Sequence, residues 1–168
     1  MWLILGTTQF VLATTSDVSL AVNHVDKTYH TTLSTVIHKA PRALFELLTS
    51  YDQLNNYSRL IEKSSLLADG NLLLQLKACF TFICFNKKQV LKINVSGYTI
   101  TGTILPEKSD FSSGQLQWTI TEYDNYSHIE FSSSITPKFW IPPFIGPLFI
   151  KHKLKEEALY SIEQIEKN

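Results

Sequence analysis

Residues 90–104 run V-L-K-I-N-V-S-G-Y-T-I-T-G-T-I and carry the plainest period in the chain. Valine and isoleucine recur at alternate positions through Val90–Val95 and Gly97 interrupts. Tyr98, Ile100, Gly102 and Ile104 then resume on one side while Thr99, Thr101 and Thr103 take the other. A period of two is that of a half-buried strand, and a glycine between two such runs marks a turn, so the segment predicts two strands. The same period extends outward both ways. Downstream, Leu116, Trp118 and Ile120 alternate with Gln115, Gln117 and Thr119; after the turn pair Asp124-Asn125, Ile129, Phe131, Ser133 and Ile135 alternate with Glu130, Ser132 and Ser134. Upstream, Leu72, Leu74, Leu76 and Ala78 share a face, and the apolar run Leu66-Leu67 before Asp69-Gly70-Asn71 makes them the second arm of a hairpin. Residues 27–38 put Tyr29, Thr31, Leu33, Thr35 and Ile37 on one side. Six to seven antiparallel strands with one apolar and one polar face are expected, a sheet that covers something on one side only.

The helical periods lie at the flanks of these strands. Pro41 suits a first helical turn, and Ala43, Leu44, Phe45, Leu47 and Leu48 fit a short amphipathic helix, with a second short one over Tyr51–Tyr57. At the other end, Leu148–Lys167 has no glycine or proline, and Leu148, Lys151, Leu154, Ala158, Ile162 and Ile165 recur at helical spacing. Twenty helical residues extend about 30 Å, enough to lie across the whole sheet.

The chain's 168 residues suit one domain with a sizeable core. Apolar residues at 44% and charged residues at 18% exclude a disordered chain and a polytopic membrane protein. Fifteen basic against fifteen acidic residues leave zero net charge, which argues against nucleic acid as a partner. Residues 2–13 (WLILGTTQFVLA) are apolar, and Val11-Leu12-Ala13 places compact residues where a signal peptidase reads them. No Lys or Arg lies between Met1 and Lys27, so the basic n-region of such a signal is missing, and the alternative is an apolar terminus or a membrane tether. The expected division is a signal over residues 1–16 and one domain over 17–168, periplasmic or secreted.

Strand, two short helices, a run of antiparallel strands and a long terminal helix is the order of the helix-grip fold. Ala40-Pro41-Arg42-Ala43-Leu44-Phe45-Glu46-Leu47-Leu48-Thr49-Ser50-Tyr51-Asp52 is similar to the strand-to-helix entry of the START-like superfamily, which includes polyketide cyclases and coenzyme Q-binding START-like proteins. The segment Asp110-Phe111-Ser112-Ser113-Gly114 before the strand bearing Trp118, the stretch Phe139–Pro147 before the last helix, and the pair Cys79 and Cys84 resemble an exported bacterial subgroup of that superfamily. The resemblance covers residues 27–167 and implies an α+β fold with a cavity between a curved sheet and the long helix, holding one apolar small molecule.

Tyr98, Trp118 and Phe131 alternate inward, where they would line such a cavity or fill it as core. The segment Phe139–Phe149 (FWIPPFIGPLF) carries three prolines and no charge, although a linker should be polar. It reads either as a stiff gate over a cavity mouth or as a plug on the protein's own core, and Phe139, Trp140, Phe144 and Leu148 are the residues to examine. Lys151, Lys153 and Lys155 follow it, placed to meet anionic headgroups if the lip touches a membrane.

Cys79 and Cys84 would lie about 17 Å apart in one regular strand, so a bridge requires the chain to turn inside Phe80–Ile83, for which Asn86-Lys87-Lys88 offers a nearby turn signal. An exported chain with an even cysteine count favours the bridge over two separate thiols. The five histidines are scattered and no metal-ligand spacing occurs, so no metal and no cofactor is expected. Glu46, Asp52, Asp110 and Glu122 are the few acid–base candidates, each better read as a cap, turn or surface charge. The leading expectation is a monomer that binds a lipid, quinone or isoprenoid; the alternatives are a cyclase or dehydratase on an aromatic substrate, and an envelope interaction module using the 139–149 lip.

Overall fold

The computed structural model describes residues 18–80, 83–141 and 146–168, side chains at Phe80 and Ile83 excepted. The expected signal over 1–16 and Phe144 lie outside the described residues. Eight strands form one antiparallel sheet: β1 (Ser19–Val25), β2 (Thr28–Ile37), β3 (Ile61–Leu66), β4 (Leu72–Phe80), β5 (Ile83–Ser96), β6 (Thr99–Ile104), β7 (Phe111–Tyr123) and β8 (Tyr126–Pro137). Helix α1 (Pro41–Thr49) and a 3₁₀ helix over Tyr51–Asn56 follow β2, and α2 (Gly146–Lys167) ends the chain and lies across the curved sheet.

The spatial order is β1-β2-β8-β7-β6-β5-β4-β3. After β2 the chain uses α1 and the 3₁₀ helix to cross to the far edge, and β3 to β8 then return as an uninterrupted meander until β8 pairs with β2. Three of its steps, β3–β4, β5–β6 and β7–β8, are closed by residues suited to tight turns, and a 3₁₀ helix over Pro106–Lys108 links β6 to β7. Gly70 and Gly97 take positive φ, as do Asp124 and Asn125 in the two-residue turn between β7 and β8. Gly114 is required for another reason: a Cβ there would stand 2.8 Å from the Ser134 carbonyl, so only glycine lets β7 approach β8 where the sheet coils.

The count of six to seven strands is corrected to eight, because β1 pairs along the free edge of β2 from Ser19↔Ser34 to Val25↔Thr28. The two short helices therefore follow the second strand. Helix α1 begins with Ala40 as cap and Pro41 at the first helical position, and its apolar face puts Leu44 wholly inside.

The inner face carries the alternation read from the sequence. Tyr29, Thr31, Leu33, Thr35 and Ile37 of β2 are all buried, as are Leu72 and Leu74 of β4 and Ile100 and Ile104 of β6. The opposite face is polar, with Thr101, Thr103, Gln115, Gln117, Ser132 and Ser134 along neighbouring strands. Two apolar clusters form on the inner face. One packs Ile37, Leu44, Tyr57, Ile120 and Ile129 with Ile162 and Ile165 from the C-terminal half of α2. The other joins Leu72, Leu74, Leu91, Ile104 and Phe111 to Tyr51 and Leu54 of the 3₁₀ helix and to Phe139.

Candidate functional site

Where the N-terminal half of α2 crosses the sheet, the packing is incomplete and a cavity of about 360 Å³ remains. Its walls come from strands distant in the sheet order that the curl brings face to face: Tyr29 and Thr31 of β2 with Phe131, Ser133 and Ile135 of β8 on one side, and Leu74, Leu76, Ala78, Phe85 and Gln89 of β4 and β5 on the other. Ile150 and Leu154 of α2, with Phe139 and Ile141 before it, cover the space. The surface they present is overwhelmingly hydrocarbon, so burial there would contribute about 25 cal/mol per Å² of apolar area to any molecule that enters.

Few polar groups face this space. Tyr29 is buried beside His24, their rings 4.4 Å apart, and burial pushes its phenol above the usual range, so it stays protonated and able to donate. Gln89 is 4% exposed, and its Nε2 has no hydrogen-bond partner. Lys77, Lys87 and Lys153 supply the cations. Lys87 Nζ lies over the Phe139 ring, 4.4 Å from its centroid, while Lys77 stands 3.5 Å from Glu62 and Lys153 3.7 Å from Glu156. Carboxylates and histidines are absent from the described lining, and no group of three His, Cys, Asp or Glu comes together among the described residues.

Helix α2 is fastened over the cavity by a buried carboxylate. Glu157 Oε1 accepts hydrogen bonds from Ser58 Oγ at 2.5 Å and from the Leu60 N–H at 3.2 Å, and Arg59 Nε stands 3.5 Å from Oε2. Ser58, Leu60 and Lys153 all border the space, so the bolt lies beside it.

Among the residues singled out in the sequence, Phe131 and Phe139 line the cavity. Trp118 stacks on Phe131 with centroids 4.1 Å apart, one layer away, and packs into the cluster beneath the C-terminal half of α2. Tyr98 stands at the β5–β6 turn, 44% exposed, with its ring edge-on to Phe45, and does not line the cavity. Trp140 and Leu148 are 72% and 81% exposed. Lys153 borders the cavity while Lys155 faces solvent and Lys151 is half-buried.

Glu46 pairs with Arg42 on the surface of α1, and Asp110 Oδ2 accepts from the Lys88 N–H at 2.6 Å, holding β5 to the entry of β7. Asp52 and Glu122 are exposed. These four carboxylates are structural or superficial, and none lines the cavity.

Cys79 and Cys84 are bridged, directly opposite one another in the β4–β5 ladder with Cα atoms 4.0 Å apart. The chain reverses between Phe80 and Ile83, as a bridge required. Asn86-Lys87-Lys88, read as a turn signal, instead lies inside β5, paired with Lys77, Leu76 and Gln75. The ladder overrides the local composition there.

Gln89 and Glu157 escaped the sequence reading. Extending the inward alternation back from Leu91 reaches Gln89, and continuing the apolar stripe of α2 from Leu154 by three residues reaches Glu157. In each case the signal is a polar residue standing where the pattern calls for hydrocarbon.

No protein-family model matches the chain, and no curated protein is similar to it in sequence. Solved structures are similar in fold. A START superfamily protein from Mycobacterium smegmatis superposes with a TM-score of 0.63 at 11% identity, over 82% of this chain and 94% of that one. A STAR-related lipid transfer protein from Xanthomonas axonopodis gives 0.62 at 11% identity, over 88% and 98%. The Zhui aromatase/cyclase from Streptomyces sp. R1128 gives 0.59 at 10% identity, over 83% and 92%. The chain thus has the START-like fold.

Proposed function

We propose that this chain is an exported protein that binds one apolar small molecule, a lipid, quinone or isoprenoid, between its sheet and the N-terminal half of α2. The observation that carries the reading is the hydrocarbon-lined cavity of about 360 Å³, roofed by Ile150 and Leu154. The similar lipid-transfer protein supports it at the level of the fold. Export is supported by the Cys79–Cys84 bridge, since disulfides persist in oxidising compartments. Among the described residues no helix is long and apolar enough to cross a membrane. The described lining supports binding over the cyclase alternative, because the titratable groups among its described residues are a phenol and three lysines, without a carboxylate or histidine.

The test is titration with 1-aminoanthracene, which becomes fluorescent on leaving water. One site per chain is expected, emptied by quinones and weakened in Ala78→Phe, which puts a phenyl ring into the cavity. A wild-type chain that takes up no probe would end the proposal.

A second reading rests on the exposure of Trp140 and Leu148. Large apolar side chains left in water at the cavity's cover suit a contact with a membrane surface, with Lys151, Lys153 and Lys155 nearby for anionic headgroups. Trp140→Ala should then lower adsorption to phosphatidylglycerol vesicles and leave 1-aminoanthracene binding unchanged. Equal adsorption of both forms would favour a protein partner from the envelope or none.

A further inference from the structure

Gln89 sits on the inner face of β5, opposite Leu74 of β4, and is one of the cavity's lining residues. It is 4% exposed and its amide nitrogen meets no acceptor. Buried polar groups are nearly always paired, and an unpaired one destabilises the fold relative to a hydrocarbon of the same shape. Its inner-face neighbours in the ladders are Leu74, Leu91 and Lys87, none of which offers the amide an acceptor, so the site is one where the fold alone would favour leucine or methionine. Something other than folding is served by an amide there.

Charge narrows what the amide addresses. Lys77 and Lys153 have carboxylates within 4 Å, whereas Lys87 keeps its charge over the Phe139 ring. The Gln89 amide is neutral. A neutral donor that meets no acceptor suits a carbonyl oxygen, which takes its hydrogen bond without bringing a charge into an apolar cavity. Tyr29, on the facing wall, adds a second donor for a ligand with two acceptors.

We propose that Gln89 is a ligand-reading residue: its Nε2–H donates to a carbonyl oxygen of the bound molecule, so that the cavity selects apolar compounds bearing a ketone, quinone or ester oxygen over pure hydrocarbons. The inference rests on the cavity-binding reading and deepens it.

The experiment compares two ligands of one skeleton, 2-acetylnaphthalene and 2-isopropylnaphthalene, on the intact oxidised chain by isothermal calorimetry. In wild type the ketone should be favoured relative to its value in Gln89→Met, a volume-matched change that removes the donor. The ratio of the two affinities should fall about tenfold in the variant, the ketone weakening and the hydrocarbon holding or strengthening. If both ligands bind and the ratio is the same in both proteins, the inference fails while the cavity reading stands. If neither binds wild type, both fail. Gln89→Met should fold at least as stably as wild type, because it replaces an unpaired amide by hydrocarbon. Should it not fold, the infrared carbonyl band of bound 2-acetylnaphthalene in wild type decides: a band moved below its position in hexane supports the hydrogen bond, and an unmoved band overturns it.

Discussion

The two halves of α2 meet the same sheet and do different things. The C-terminal half buries Ile165 to 4% exposure and packs Ile162 with it against Ile37, Ile120 and Ile129. The N-terminal half spans a cavity with Ile150 and Leu154 and leaves Leu148 in water. Glu157 stands at the boundary, bonded to Ser58 and Leu60. The difference teaches how one helix is both anchor and cover: stability is concentrated where side chains interdigitate, so the other end is free to leave space for a guest.

The sharpest way to break this contrast is truncation on either side of Glu157. Ile165→Ala should cost about 3 kcal/mol in urea unfolding, whereas Ile150→Ala should cost about 1 kcal/mol or less. Equal costs would mean that the cavity end is packed as tightly as the anchor. Next in size is Glu157→Ala, which removes the acceptor of two hydrogen bonds from half-buried donors. About 2 kcal/mol is expected, with amide exchange accelerating in residues 147–157 more than in 160–167. Uniform acceleration along α2 would contradict the division.

Smaller again is loss of the bridge at the β4–β5 hairpin, beyond Ala78 and Phe85 of the cavity wall. Cys79→Ser with Cys84→Ser closes no loop and should lower stability by about 2 kcal/mol or less, while Ile165 stays buried and the anchor half keeps its exchange protection. The smallest effect belongs to Asp69, far from both halves. Lys108 Nζ at 2.7 Å and the Asn71 N–H at 3.1 Å hold its carboxyl down at about 2, below the ordinary value of about 3.9. A lowered folded-state value stabilises the fold above the unfolded pKa and ceases to do so as pH falls toward 2. Asp69→Asn should therefore lower the melting temperature slightly at pH 7, the difference shrinking as pH falls through 2, as scanning calorimetry would read.

The same division explains how much was legible in the sequence. Regions fixed by periodicity over many residues were readable: the β5–β6 and β7–β8 hairpins, the helix after Pro41, and α2 to within two residues of its start. Strand β1 was not, because it is a short edge strand whose only well-buried residue is Val22, and its pairing comes from β2 rather than from its own pattern. Phe131 and Phe139 could be placed toward a cavity because strand alternation and the apolar lip point there. Tyr98 could not, since alternation carries a side chain to one face but does not say that the strand has reached its turn. Gln89 and Glu157 required the opposite habit of reading, treating a polar residue on an apolar stripe as the signal rather than as noise.

Native mass spectrometry of the intact oxidised chain, offered menaquinone and phospholipid in turn, tests the central claim most directly. One apolar molecule should be retained per chain, and clearly less of it in Ala78→Phe with the fold intact. A wild-type chain that stays bare with every ligand offered, or an Ala78→Phe chain that binds as well as wild type, would contradict it.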